Sequence, residues 1–169
     1  MSKSIESTKA LKSNKSLKSS AAYHKGIQSE RIAADYFTQQ NYEIIANRYK
    51  SPCGEIDLII VENPSFQNIV LQNSPPQSPL SKKQLQQDLQ SSNNPCIIFV
   101  EVKARATIDD CLYSISKRQQ RRIIAAGECF LADNFAIYQH HDVRFDVIAI
   151  NSAGELAHIK NAYENSYGD

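Results

Sequence analysis

Gly54-Glu55-Ile56-Asp57-Leu58-Ile59-Ile60-Val61 and Cys96-Ile97-Ile98-Phe99-Val100-Glu101-Val102-Lys103 decide how this chain folds and where its chemistry sits. Both runs are rich in branched aliphatic residues, as β-strands are, and both are apolar enough to lie near the middle of a sheet. A strand buried there should be almost wholly apolar, yet these two carry Asp57, Glu101 and Lys103. Alternation sends Ile56, Leu58 and Ile60 to one face of the first strand and Glu55, Asp57 and Ile59 to the other. In the second, Val100 and Val102 share one face, Glu101 and Lys103 the opposite one. If the strands are neighbours, Asp57, Glu101 and Lys103 converge on one spot.

Outward from this pair the chain alternates. Residues 26–40 read as a helix and Tyr42–Arg48 as a strand. A long helix is predicted over about 115–132, a strand over Val143–Ile150, and a short edge strand over Leu156–Lys160 after a turn at Ala153-Gly154. The order α-β-β-β-α-β-β predicts an α/β fold, a mixed central sheet flanked by helices. Residues 63–94 are rich in Gln, Ser, Asn and Pro, with one possible short helix around Leu80–Leu89. They are too many for an ordinary connection, and read as a disordered insertion between strands. The remainder of 26–165 is 108 residues, enough for one small domain.

Composition narrows the function classes. Of 169 residues, 41% are hydrophobic and 22% charged, and no stretch approaches the ~20 apolar residues of a membrane span. No apolar segment follows the N-terminal lysines, so a secretory signal is not expected. Cys53, Cys96, Cys111 and Cys129 stand far apart with no C-x-x-C pair. Neither a disulfide framework nor a structural zinc site is expected, and a reducing cytoplasm fits. The net charge of +1 hides an asymmetry: residues 1–25 carry six lysines against Glu6, while the rest is net acidic. A Lys/Ser-rich tail over 1–23 cannot bury enough surface to fold alone and reads as a solvated extension, with a nucleic-acid-holding arm as the functional alternative.

The first helix adds a third carboxylate. Ile27, Ala33, Ala34 and Phe37 form its apolar stripe, and Glu30 falls in the middle of it. Burying that group unpaired costs several kcal/mol or shifts its pKa. One buried ion pair would suit Lys103, but three carboxylates and one lysine are over-acidic for that. A hard cation such as Mg²⁺ or Mn²⁺, which takes carboxylate oxygens and retains water, fits better. Asp57 and Glu101 are the candidate metal ligands. Glu55 lies one pleat away and reads as a rim charge or structural partner rather than a ligand. The long helix presents Lys117, Arg118, Arg121 and Arg122 opposite a stripe of Ile115, Ile123, Ala126 and Phe130, which reads as a phosphate-contact face. Gln119 and Gln120 lie beside the apolar side, Gln119 as a weaker candidate for the site. His24, His140, His141 and His158 are scattered and read as surface or packing residues.

Gly26-x-x-Ser29-Glu30-x-x-Ala33, Asn41-Tyr42, Gly54-Glu55-Ile56-Asp57-Leu58-Ile59, Phe99-Val100-Glu101-Val102-Lys103-Ala104-Arg105, Lys117-x-Gln119-x-Arg121, Arg144-Phe145-Asp146-Val147 and His158-Ile159-Lys160-Asn161-Ala162-Tyr163 together resemble the bacterial YraN family, over about residues 24–165 apart from the insertion. That largely uncharacterised family is similar to the restriction-endonuclease-like PD-(D/E)xK nucleases, and among them to archaeal Holliday-junction resolvases. The resemblance implies that fold, with three layers. It also implies a Mg²⁺-dependent endonuclease acting on DNA, with Asp57 as the motif aspartate, Glu101-Val102-Lys103 as its E-x-K and Glu30 as the extra helix carboxylate. Ile56 stands where the motif has proline. A homodimer is implied by analogy, since a four-way junction needs two cuts. The alternatives are a non-catalytic nucleic-acid- or partner-binding module that keeps the constellation, and an α/β scaffold with a buried charge network.

Overall fold

The computed structural model describes residues 23–62 and 94–163. The expected tail over 1–23, the insertion over 63–94 with its short helix, and a 166–169 tail lie outside the described residues, save residues 23 and 94 at their edges.

Helix α1 covers residues 23–39 and ends where Asn41 takes a left-handed φ of 62°, a conformation that asparagine tolerates better than most residues. The N–H of Tyr42 returns to the carbonyl of Phe37 at 3.0 Å and closes that end. Strands β1 (Glu43–Ser51), β2 (Gly54–Glu62) and β3 (Cys96–Ala104) follow, then α2 (Ile108–Tyr113), α3 (Lys117–Asp133), the single turn α4 (Phe135–Tyr138), β4 (Asp142–Ile150) and β5 (Leu156–Ile159). One five-stranded sheet has the order β1-β2-β3-β4-β5. Its pairs are antiparallel except β3 with β4, which are parallel and joined by the helical crossover.

The expected α/β class with a mixed sheet between helices is what forms. On one side Ala33 and Phe37 of α1 pack with Leu58, Ile60, Ile98, Val100, Ile148 and Ile150. On the other, Ile123, Ala126 and Phe130 of α3 pack with Ile59, Ile97, Phe99, Phe145 and Val147. The predicted strands and long helix lie within a few residues of their observed bounds. The short helices α2 and α4 were not predicted, although Thr107 and Asp110 form a capping box at the start of α2. Ile27 leaves the expected stripe and is 39% exposed. Among the described residues, no helix is long and apolar enough to cross a membrane.

The cysteine reading is corrected. Cys53, in the β1–β2 turn, is joined by a disulfide to Cys129 on α3, 76 residues away, while Cys96 and Cys111 are free. Spacing along the chain carried no sign of it, because the pairing arises only where α3 lies against that turn. With Cys53 and Cys129 paired, the cysteines no longer point to a reducing compartment. Gly54 permits the close approach: a Cβ there would lie 2.6 Å from the carbonyl oxygen of Arg122.

The middle of β4, where Asp146 pairs with Val100 of β3, is tied to its surroundings by a buried polar network. Fully buried Asp146 accepts from Arg144 Nε at 2.9 Å, His158 Nε2 at 2.8 Å and the N–H of Asn161 at 2.9 Å. Arg144 also donates to Glu62 at 2.9 Å, and Glu62 accepts from Tyr42 at 3.0 Å. So β2, β4, β5 and the chain just after α1 meet in one network, and His158 is a hydrogen-bonding member of it rather than a packing residue. Burial alone would raise the carboxyl of Asp146, but the hydrogen bonds from His158, Arg144 and Asn161 outweigh it and hold it below its ordinary value. Removing one side of a buried charge pair strands the other. Asp146→Ala should therefore lower unfolding free energy by about 3–5 kcal/mol in urea melts. A loss under about 1 kcal/mol would show that the network carries little of the fold's stability.

Candidate functional site

The ladder between β2 and β3 runs from Glu62↔Cys96 to Leu58↔Val100 and stops there. Beyond it β2 stays paired with β1 as far as Gly54, and β3 with β4 as far as Ala104. The sheet thus forks at Asp57 and Glu101. Asp57 closes the fork with its side chain: Oδ2 accepts the N–H of Val102 at 2.8 Å. Opposite it on β1, Arg48 has a left-handed φ of 52°. The expected alternation in β2 breaks here, since Ile56 joins the α3-side core with Ile59 and Val61 rather than Leu58 and Ile60. In β3 the alternation holds, with Val100 and Val102 on the α1 side.

Glu101 is 5% exposed. Its Oε1 accepts from Lys103 Nζ, and from Gln119 Nε2 of α3 at 2.6 Å. The weaker candidate Gln119 thus reaches the site directly. Burial first, and then the negative charge of Asp57, push the Glu101 carboxyl up to about 7, with Lys103 opposing. Asp57 is raised as well, mainly by burial, against the Val102 N–H and Lys103. Nearby, Tyr163 is buried and its hydroxyl has no hydrogen-bond partner among the described residues.

Glu30 faces the sheet as expected, but its partner was not foreseen: Arg48 Nε lies 3.2 Å from Glu30 Oε2. Arg48 also receives support from Tyr23, whose hydroxyl accepts from its Nη1 at 3.3 Å. The Glu30 carboxyl is raised by burial and by Asp57, with Arg48 lowering it. Nothing in its own strand marked Arg48, because β1 is largely polar and carries a second cation, Lys50.

Among the described residues, two cavities open onto the fork. One, of about 660 Å³, lies on the α3 side between Glu55 and Arg118, Gln119 and Arg122. The other, of about 250 Å³, lies on the α1 side beside Lys25, Glu30, Lys103 and Arg105. Asp57 and Glu101 line both. Of the four cations predicted on α3, all exposed, Arg118 and Arg122 line the larger cavity, while Lys117 and Arg121 are not among its lining residues. Glu55 is at the rim, 3.3 Å from Lys50. Ser116 caps α3 by accepting from the N–H of Gln119, and no acid stands in the first turn. Cations there add to the positive end of the helix dipole instead of offsetting it.

Among the described residues, no three His, Cys, Asp or Glu side chains are grouped so as to hold a metal ion by themselves. A divalent ion at the fork would take Asp57 and Glu101 and complete its shell with water or phosphate oxygens, the manner of Mg²⁺. The donor set fits that hard cation, because two adjacent buried carboxylates hold more negative charge than Lys103 balances. Without metal the raised carboxyl of Glu101 has a stability signature. A carboxyl raised on folding binds its proton more tightly folded than unfolded, so stability falls as pH rises from its ordinary 4.5 through about 7. In EDTA, wild type should lose on the order of 1–3 kcal/mol over that window relative to Glu101→Gln. Parallel pH profiles for the two proteins would refute the shift.

The comparisons with known proteins agree on kinship. The family model described as "Uncharacterised protein family UPF0102" matches residues 29–150, a span that includes Glu30, Asp57, Glu101, Lys103 and Gln119. A UPF0102 protein of Rhodopseudomonas palustris (strain HaA2) is 34% identical over 146 residues, 86% of this chain and 89% of that protein. UPF0102 protein RPA0323 of strain ATCC BAA-98 / CGA009 of the same species is 32% identical over 85% of this chain and 86% of its own length. One from Nitrobacter winogradskyi is 30% identical over 86% of this chain and 97% of its own length. With the family model spanning most of the folded residues and the relatives aligned almost end to end, the chain belongs to the uncharacterised protein family UPF0102.

Proposed function

We propose that the protein is a metal-dependent endonuclease that hydrolyses phosphodiester bonds in DNA, branched DNA included. The observation that carries the reading is the fork. Two carboxylates, Glu101 buried and Asp57 partly so, open onto a cavity whose far wall is the basic N-terminal end of α3. Acids in a cleft whose carboxyls are raised by burial and by a charged neighbour are candidates for a functional site. Here they face the residue types that hold phosphate.

In this reading Asp57 and Glu101 hold Mg²⁺ or Mn²⁺, which when bound polarises the phosphodiester and activates water. Gln119 fixes the orientation of Glu101, and Lys103 stabilises charge developing on the phosphate. Arg48 fixes Glu30, which supports the ion's water shell. Lys117, Arg118, Arg121 and Arg122 hold the backbone of the substrate. A nucleic-acid substrate accords with a cytoplasmic location, and cutting both strands of a branched substrate accords with a homodimer.

The test is a melting series with a cleavage screen. Mg²⁺ or Mn²⁺ should raise the wild-type melting temperature by mass action. Asp57→Asn should abolish that gain while leaving the apo protein as stable or more so, because Lys103 is paired with Glu101 rather than with Asp57. Lys103→Ala should lower cleavage of flapped or four-way DNA by roughly 10²–10³-fold. A metal-insensitive wild type together with a strongly destabilised Asp57→Asn would overturn the site. Metal stabilisation and DNA binding without cleavage would favour a binding module instead.

A further inference from the structure

The two cavities at the fork flank the same two carboxylates, yet only the larger is walled by the α3 cations. The smaller holds its own pair: Lys25 on α1 and Arg105 just beyond β3, both exposed. Arg105 is anchored there, Nη1 donating to the carbonyl of Ala104 at 2.9 Å. At about 250 Å³ the space falls below that of most small-molecule clefts, roughly 300–1,000 Å³. It suits one phosphate and its sugar, not a base pair. An enzyme that cuts within a strand must hold the strand on both sides of the bond that breaks.

We propose that this smaller cavity is a subsite for a phosphate of the substrate strand next to the one attacked, held by Lys25 and Arg105, and that it fills only when a divalent cation is bound by Asp57 and Glu101. The inference rests on the metal-binding role proposed for those two residues. The charges give the coupling. Among the residues lining it, Lys25, Lys103 and Arg105 equal Glu30, Asp57 and Glu101 in number, and Arg48 is committed to Glu30, so a phosphate gains little net attraction. A divalent ion on the shared carboxylates makes the cavity strongly positive. In the larger cavity Arg118 and Arg122 stand against Glu55, Asp57 and Glu101, but along α3 they continue into the exposed cations Lys117 and Arg121 with no acid in the first turn, so a strand is held on that helix face, beside the cavity, without metal. The substrate therefore runs from the α3 face, across the fork, to the start of α1.

The experiment measures fluorescence anisotropy of 5′-labelled single-stranded oligo-dT, roughly 4 to 16 nucleotides long, binding to the full chain. One buffer contains Ca²⁺, standing in for Mg²⁺ to hold back cleavage, and the other EDTA. In Ca²⁺, Lys25→Ala/Arg105→Ala should weaken binding of the longer probes about tenfold. It should also reduce the salt slope by roughly 0.7 for each phosphate that is no longer neutralised. In EDTA that variant should match wild type. Arg118→Ala/Arg122→Ala should weaken binding in both buffers. The subsite is overturned if the Lys25/Arg105 variant binds as wild type does in Ca²⁺ at every length while the α3 variant is impaired, or if its loss is equal in EDTA. If wild type binds no probe in either buffer, the nucleic-acid reading itself falls, and the subsite with it.

Discussion

Two carboxylates buried where a sheet divides set the terms for everything around them. Asp57 takes the amide proton of Val102, a group that a continued ladder between β2 and β3 would have supplied with a backbone acceptor. The fork is thereby bridged by a side chain in place of a ladder bond, and the two cavities open beside that bridge. Glu101, directly beyond the last ladder pair, draws both Lys103 and Gln119 onto one oxygen. That contact fixes the start of α3 over the fork. Even so, burial and mutual repulsion leave the pair short of positive charge, and both carboxyls rise.

One register position away on the neighbouring strand, where Asp146 pairs with Val100, the same chain solves a similar problem to completion. Asp146 is less exposed to solvent than either site carboxylate, yet its pKa falls, because Arg144, His158 and a backbone amide all donate to it. Polar networks complete in this way rigidify a fold. The fork is incomplete by comparison: its two carboxyls rise where that of Asp146 falls, and the cation proposed there would supply the missing positive charge.

Much of this was legible in the residues themselves. The strands from Gly54 and from Cys96, the α1 and α3 helices and the edge strand from Leu156 followed from hydrophobic periodicity, which records burial one element at a time. Asp57, Glu101, Lys103 and Glu30 stood out because charge in such runs conflicts with burial. What stayed hidden involves partners distant in sequence. Arg48 meets Glu30 only after β1 is laid beside β2 under α1. Cys53 meets Cys129 only when Gly54 lets the turn touch α3. His158 meets Asp146 only through the β4–β5 register.

The chain by itself determined the element types, the α/β class and the residues whose chemistry conflicts with their surroundings, since each of these is a local property of composition and period. Only the tertiary structure decided which of them meet. Strict alternation placed Ile56 with Leu58, but the end of the β2–β3 ladder and the left-handed turn of Arg48 re-aim that stretch, so Asp57 lies in the fork and borders cavities on both sides of the sheet. Of four cations equivalent in sequence, the packing of α3 brings Arg118 and Arg122 to the site's wall. Periodicity describes one strand or one helix. Where a ladder stops depends on the neighbouring strands, and that is settled by packing across the whole sheet.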